Sequence, residues 1–332
     1  MTATAPARLP LERVAPALSV ILVTDEGGQG LDRIIQRLAC QTVAADLEIV
    51  IGAADPQALQ LPGEAQSAFR SLRVLHADTV TSATARAESI RAAAAPFVAL
   101  AEDHCFPVRD DWAARLIDGL RAGHAGVGPV FDNANPRTAV SWANLAVEYS
   151  PWLRGARGGE VSALPGHNSA YRRDLLLAYG ARLAAMLEAE WVMHADLRAQ
   201  GYTLFLDPEN EVAHLNYSLV GRSVRLQFLA GRMFAASRAS GWSPWRRLAF
   251  ALLSPAIPMK RSLAVSHDVI STGSDRGLFV SALPMAFLLL AASGLGEGIG
   301  YAFGDGGKRY ALARMEYRRW RNLRADEVHL AR

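Results

Sequence analysis

Short apolar runs alternate with amphipathic stretches along the first two thirds of the chain. "LSVILVT" (18 to 24) is rich in β-branched residues and stops at "DEGGQG", the pattern of a buried parallel strand followed by a loop. "LDRIIQRLACQT" then sets Leu31, Ile34, Ile35 and Leu38 on one helical stripe. "LEIVIGAADP" (47 to 56) predicts a second strand, "LRVLHA" (72 to 77) a third, the Ala-rich segment within 81 to 95 a helix, and "PFVALAED" a fourth strand. This alternation predicts the α/β class with a doubly wound, mostly parallel sheet. Ligands of such sheets gather beyond the carboxyl ends of the strands, which places Asp25 and Glu26, Asp55, and the cluster Glu102, Asp103 and His104 around one crevice.

Further on, "ALPGHNSAYRRDLLLAYG" (163 to 180) joins a Gly-containing loop to a helix start. "EAEWVMHADLRAQGYTLFLDPENEVAHLN" (188 to 216) predicts a helix ending at Gly201, a strand "YTLFLDP", and then a lone His214. Glu190 and His194 stand four apart on that helix, the spacing of a surface charge pair and not the zinc-protease pattern.

After residue 216 the pattern changes. A helix is predicted from about Leu219 to Ser240. "LAFALLSPAIP" (248 to 258) is too short to cross a bilayer, which takes about 20 apolar residues. "GLFVSALPMAFLLLAASGLGEGIGYAFG" (277 to 304) is long enough, although Pro284 and repeated glycines interrupt it and Glu297 lies near its end. Both a single membrane helix and an in-plane hydrophobic hairpin fit this segment.

Charge separates the same two parts. Residues 1 to 216 hold 18 Lys and Arg against 25 Asp and Glu, a net of −7; residues 217 to 332 hold 17 against 7, a net of +10. Basic residues flank the apolar segments on both sides, with Trp242, Trp245 and Trp320 nearby, so the expected partner is an anionic membrane surface and not nucleic acid. The expected division is a flexible stretch over 1–16, a catalytic α/β domain over 17–216 and a helical, basic, membrane-associating region over 217–332. The N-terminus lacks the apolar core of a signal peptide, and Cys40 and Cys105 offer no disulfide framework. The expected location is the cytoplasmic face of the cell membrane, of the bacterial inner-membrane kind.

The order of segments over residues 17 to 216 resembles the family 2 glycosyltransferases, whose nucleotide-sugar-binding fold is called GT-A. "SVILVTDEGGQG" and "LACQT" resemble the family's first strand and helix, and "ATARAES" its "ARN"-like helix. "LAEDHCFP" stands in the slot of its acidic metal motif. "GHNSAYRRDLL" is similar to its "G-x-N-x-A-[FY]-R-R" segment, "EAEWVMHADLRAQGY" to its "E-D…R-L…G-Y" helix, and "VAH" to its terminal histidine.

The resemblance implies transfer of a sugar from a nucleotide-diphosphate donor, with Mg2+ or Mn2+ offsetting the charge of the departing diphosphate. Asp103 is the first metal candidate, flanked by Glu102 and His104; alternate residues of an extended segment point opposite ways, so not all three reach one ion. His214 completes the set. The resemblance further implies donor contacts at Thr24, Glu26, Asp55, Arg86 and Glu102. It gives Arg232 a diphosphate role through "QFLAGR", a loose likeness to the "Q-x-x-R-W" element of related enzymes. His167 and Asn168 are expected to line the acceptor pocket.

The family's base is the aspartate of "E-D"; here that slot holds Glu190, preceded by Ala189, with Glu188 as the alternative. Direct attack on the anomeric carbon implies inversion. A second departure is Gly52 and Ala53 where the family has base-reading aspartate. The acceptor expected is a lipid or membrane-linked molecule. A soluble glycan acceptor, or a non-catalytic binding protein of the same fold, are the rival readings.

Overall fold

The computed structural model describes residues 15–24, 28, 30–61, 63–273 and 276–331. Glu26 and Asp25, and the expected flexible stretch up to residue 14, lie outside the described residues.

The expected alternation is present in the first hundred residues: β1 (Leu18–Thr24), α1 (Leu31–Ala39), β2 (Leu47–Ala53), the short α2 (Gly63–Gln66), β3 (Ser71–His76), α3 (Ser82–Ala92) and β4 (Phe97–Leu100). These four strands pair in parallel in the order β3-β2-β1-β4. β1 and β2 are almost wholly buried because helices cover both faces, which is why they are continuous apolar runs. Glu48 is the buried exception in β2. Its carboxylate accepts from Ser19 Oγ and from the Ala94 backbone N–H (2.7 Å) and pairs with Arg73. Thr81 caps α3 by accepting from the Thr84 N–H (3.1 Å), a contact of the kind that contributes about 1 kcal/mol.

The sheet continues through β5 (Cys105–Pro107), β6 (Gly126–Asn133), β7 (Gly159–Glu160), β8 (Ala170–Arg172) and β9 (Leu204–His214), with α4 (Trp112–Arg121), α5 (Ala139–Tyr149), α6 (Arg173–Leu177), α7 (Leu183–Glu188) and α8 (Glu190–Ala199) between them. Its path is β3-β2-β1-β4-β8-β6-β9-β5, with β7 on β9. The long ladders are parallel, and the antiparallel ones run for only two or three residue pairs. β9 extends to His214, well past the expected "YTLFLDP", because its far half pairs with β5 and with the end of β6.

Five helices follow: α9 (Val220–Arg238), α10 (Pro244–Leu253), α11 (Ala256–Thr272), α12 (Arg276–Phe303) and α13 (Arg309–Tyr317). Among the described residues α12 is the single helix long and apolar enough to cross a membrane, with α10 and α11 reaching that length only as a pair bent by 57°, yet one face of α12 belongs to the protein core. Phe279, Ala282, Ala286, Leu289 and Leu290 are buried in the same cluster as β1 and β2, and Phe279 meets Trp142 edge-on at 4.6 Å. Its C-terminal half lies against α9 so closely that a Cβ at Gly296 or Gly300 would stand 2.1 or 2.3 Å from the carbonyl oxygens of Phe228 and Arg232. The core therefore holds residues from both sides of position 216.

Candidate functional site

β4 ends at Leu100, and the chain turns through Glu102, Asp103 and His104 before entering β5. β5 pairs antiparallel with the end of β9, with Cys105 opposite His214, so the turn and the last residue of β9 are brought together. Glu102, His104 and His214 each offer one ligand atom, all within 4.8 Å of one another. Bonds of about 2.1 Å to a shared ion place donors roughly 3 to 4 Å apart, so the trio fits a cation with only a small contraction.

The imidazoles are oriented for this. His104 Nδ1 donates to Asp103 Oδ1 (2.7 Å), which leaves Nε2 facing Glu102 Oε2 at 3.5 Å. His214 Nδ1 donates to Asn216 Oδ1 (2.8 Å), and its Nε2 lies 4.0 Å from the same carboxylate oxygen. A histidine held at Nδ1 by an oxygen, with Nε2 presented inward, is the arrangement metal-binding histidines adopt. His104 Nε2 is buried and has no hydrogen-bond partner. Burial together with the nearby Arg319 charge pushes His214 down to about 3 and His104 well below its ordinary value, so both are neutral at pH 7, the form that ligates.

Glu102 is the hub. Arg86 Nη2 lies 3.6 Å from its Oε1, His167 Nδ1 3.4 Å from the same oxygen, and Asn168 Nδ2 donates to Oε2 (3.2 Å). Burial works against its ionisation, but the adjoining His167 imidazole and the Arg86 guanidinium outweigh this, and its carboxyl sits well below the usual range. Arg86 is itself 5% exposed, and its Nε is buried without a partner. Asn168 holds a left-handed backbone (φ 65°), which asparagine tolerates better than most residues and which turns its amide onto Glu102.

Glu190 opens α8. Its Oε1 is buried, unpartnered and 4.0 Å from His167 Nε2. Gly166 makes room for it, since a Cβ there would lie 1.7 Å from Glu190 Oε2. Glu188, the alternative, is instead paired with Arg309 (3.0 Å).

Other expected residues lie elsewhere. Asp103 lines the cavity beside Glu102 and His104, but in the turn formed by residues 103 and 104 its carboxylate serves as the hydrogen-bond partner of His104 and is outside the converging trio. Thr24 is buried at the end of β1, and its neighbour Val23 forms the cavity wall. Asp55 is exposed and accepts from the Gln57 N–H (3.0 Å), capping a short turn away from the cavity. Gly52 stands where the resemblance expects an acid because α3 packs so near that a Cβ would meet Ser89 Oγ at 2.7 Å.

Arg232 is turned away from the trio: it faces α12, and its Nε donates to the Gly304 carbonyl (2.9 Å). The guanidinium that the sequence reading missed is Arg319, 5% exposed just after α13. It pairs with Glu316, lies over the Tyr217 ring at 4.9 Å and donates to the Leu215 carbonyl. Glu316 and Glu148 overcome the effect of burial and keep it charged. The available signal was "EYRRW" (316 to 320), which carries the R-W pair at the spacing of "Q-x-x-R-W".

A cavity of about 620 Å3 opens from this cluster. Val23, Arg86, Glu102, Asp103, His104 and His167 line it, together with residues of α8, α9 and α13.

No protein family and no curated protein matches the chain. Among solved structures it is similar to the mannosyltransferase PcManGT from Pyrobaculum calidifontis in complex with GDP-Man and Mn2+, at 16% identity and TM-score 0.45, over 98% of this chain and 89% of that one. It is also similar to S. aureus TarS, at 11% identity and TM-score 0.44, over 81% of this chain and 55% of that one. A third likeness is to GalNAc-T7 with UDP, GalNAc and Mn2+, at 14% identity and TM-score 0.45, over 60% and 43% of the two chains. The chain thus spans about half the length of the second and less than half of the third. At this level the likenesses describe the broad course of the chain, and the chemistry of the site rests on its own residues.

Proposed function

We propose that the protein is a membrane-associated, metal-dependent glycosyltransferase of the GT-A, family 2-like kind. It moves a sugar from a nucleotide-diphosphate donor to a lipid or membrane-linked acceptor, with inversion. The observation that carries this reading is the trio Glu102, His104 and His214 beside buried Arg86, at the carboxyl end of a mostly parallel sheet, with Glu102, His104 and Arg86 lining one cavity. Residues 17–216 supply the transfer chemistry and 217–332 the membrane association.

Glu102, His104 and His214 would hold Mg2+ or Mn2+, which when bound neutralises charge on the leaving diphosphate. Arg86 adds a guanidinium suited to phosphate on the donor side, and Asp103 and Asn216 fix the two imidazoles. His167 and Asn168 border the acceptor. Glu190 takes the proton from the acceptor hydroxyl as its oxygen bonds to the anomeric carbon and the carbon–phosphate oxygen bond breaks. Its buried, unpartnered Oε1 supports that role. Attack opposite the departing group inverts the configuration.

Membrane association is supported by three exposed apolar stripes: Trp245, Leu248 and Leu252 on α10; Met259, Leu263 and Ile270 on α11; Val280, Phe287 and Leu295 on α12. Among the described residues of these helices the acids are Asp268, which accepts from Ser150 Oγ, and Glu297, which is buried near Arg261. Exposed Arg246, Lys260 and Lys308 suit anionic headgroups on a cytoplasmic leaflet. With one face of α12 committed to the core, docking in the plane of the interface fits better than a span.

A thermal-shift screen of nucleotide-diphosphate sugars with and without Mn2+ tests the catalytic reading. A ligand of the folded state raises Tm, and the expected result is a metal-dependent shift confined to one nucleotide family. No shift with any sugar nucleotide overturns the reading.

A further inference from the structure

The apolar part of the cavity lining has a different chemistry from the trio. Trp191 and Val192 at the start of α8, Met233 and Phe234 on α9 and Leu312 on α13 form its wall. Trp191 is 54% and Phe234 40% exposed, with ring centroids 6.4 Å apart. Neighbouring exposed aromatics in a cavity wall are surface the fold has not covered for itself.

α9 connects this wall to the membrane-facing helices. Ala230, Met233, Phe234 and Ser237 lie on its cavity face, while Phe228, Gly231 and Arg232 lie against α12, whose opposite face carries the exposed stripe. At the rim, Arg238 lines the cavity, lies 5.6 Å from the Trp242 ring and 5.2 Å from the Phe250 ring, and donates to Tyr301 Oη (3.1 Å). One edge of the cavity is therefore built on the base of α10 and α12.

We propose that this apolar part of the cavity binds the hydrocarbon chain of the acceptor, a prenyl or long alkyl group, entering past Arg238 from the membrane side with its polar head toward Glu190. The proposal deepens the glycosyltransferase reading and rests on it for the name acceptor. The chain site itself follows from the wall, its exposure and its continuity with α10 and α12.

The test is photolabelling of the full chain, in anionic vesicles, with farnesyl phosphate carrying a diazirine at the tail, followed by peptide mapping. Label is expected on Trp191, Val192 and 230–238, displaced by excess farnesyl phosphate or dodecyl phosphate but not by butyl phosphate. Displacement by only one of the two long chains tells prenyl from alkyl. Phe234→Asp and the surface change Trp191→Ser should each lower cavity labelling at least tenfold, with folding checked by circular dichroism. Label confined to the outer faces of α10–α12, or undiminished in both folded variants, overturns the proposal. Cavity label in a parent that shows no nucleotide-dependent thermal shift sinks the glycosyltransferase reading and leaves the chain site standing.

Discussion

Single side chains define the metal set. Glu102 and His104 converge with His214, while the Asp103 carboxylate is the partner that orients His104. Asp103→Asn should therefore weaken Mn2+ affinity by about 10- to 100-fold without abolishing it, the usual effect of losing an outer partner, as isothermal titration would show. An unchanged affinity would mean that the carboxylate does not act through His104. Gly166→Ala should push the Glu190 carboxylate aside, lowering kcat at least tenfold while the nucleotide-sugar thermal shift is kept. His194 gives a pH prediction away from the site. It is buried with its Nε2 against Tyr171 Oη (2.9 Å), and burial pushes it down to about 4 from 6.5. The unfolded chain takes up that proton and the folded one does not. Its contribution is complete above pH 6.5 and lost as pH falls toward 4, about 3 kcal/mol over that window. Urea unfolding from pH 7 to 4.5 should show the decline, and His194→Gln should flatten it; an equal slope in the variant would contradict the assignment.

At the scale of elements, long periodic segments were legible and short ones were not. β1, β2 and α1 follow from apolar runs and a stripe, because burial on one or both faces leaves a period in the residues themselves, and α3 follows from its alanine content. β5, β7 and β8 are two or three residues long and exist through their partners, so no local period marks them. β5 is the strand that closes the site, which is why the meeting of His104 with His214 could be expected only through the family likeness and the trio could not be built from spacing. Arg232 shows a different failure. α9 is apolar on two faces, one toward the cavity and one toward α12, so its pattern does not say which side an arginine takes. The glycines of α12 let it approach α9. Gly296→Leu and Gly300→Leu should each cost about 1 to 3 kcal/mol or more in denaturant unfolding through overpacking, whereas Leu263→Ser on the exposed stripe should leave stability within about 0.5 kcal/mol.

For the whole molecule, the charge asymmetry and the apolar stripes lie on one part of the chain, and the cavity lies between that part and the sheet. The segment after α13 returns to the sheet: Arg33 donates to the Leu330 carbonyl, and Arg319 reaches the residues beneath the trio. The part of the chain that carries the exposed stripes thus also supplies α9 and α13 to the cavity lining. Co-sedimentation with anionic vesicles should exceed that with zwitterionic ones and fall with salt. A paired Leu252→Ser and Leu263→Ser change should reduce it while Tm is kept. Alkaline carbonate should release the protein, as it does not release a spanning helix; retention in the pellet would contradict in-plane docking.

The claim beneath all of this is that Glu102, His104 and His214 hold a divalent ion. Isothermal titration of Mn2+ into the full chain, with His104→Ala and His214→Ala compared by circular dichroism for folding, tests it most directly. One ion per parent chain and no measurable binding in either folded variant is the predicted result. Equal Mn2+ binding by all three would contradict it.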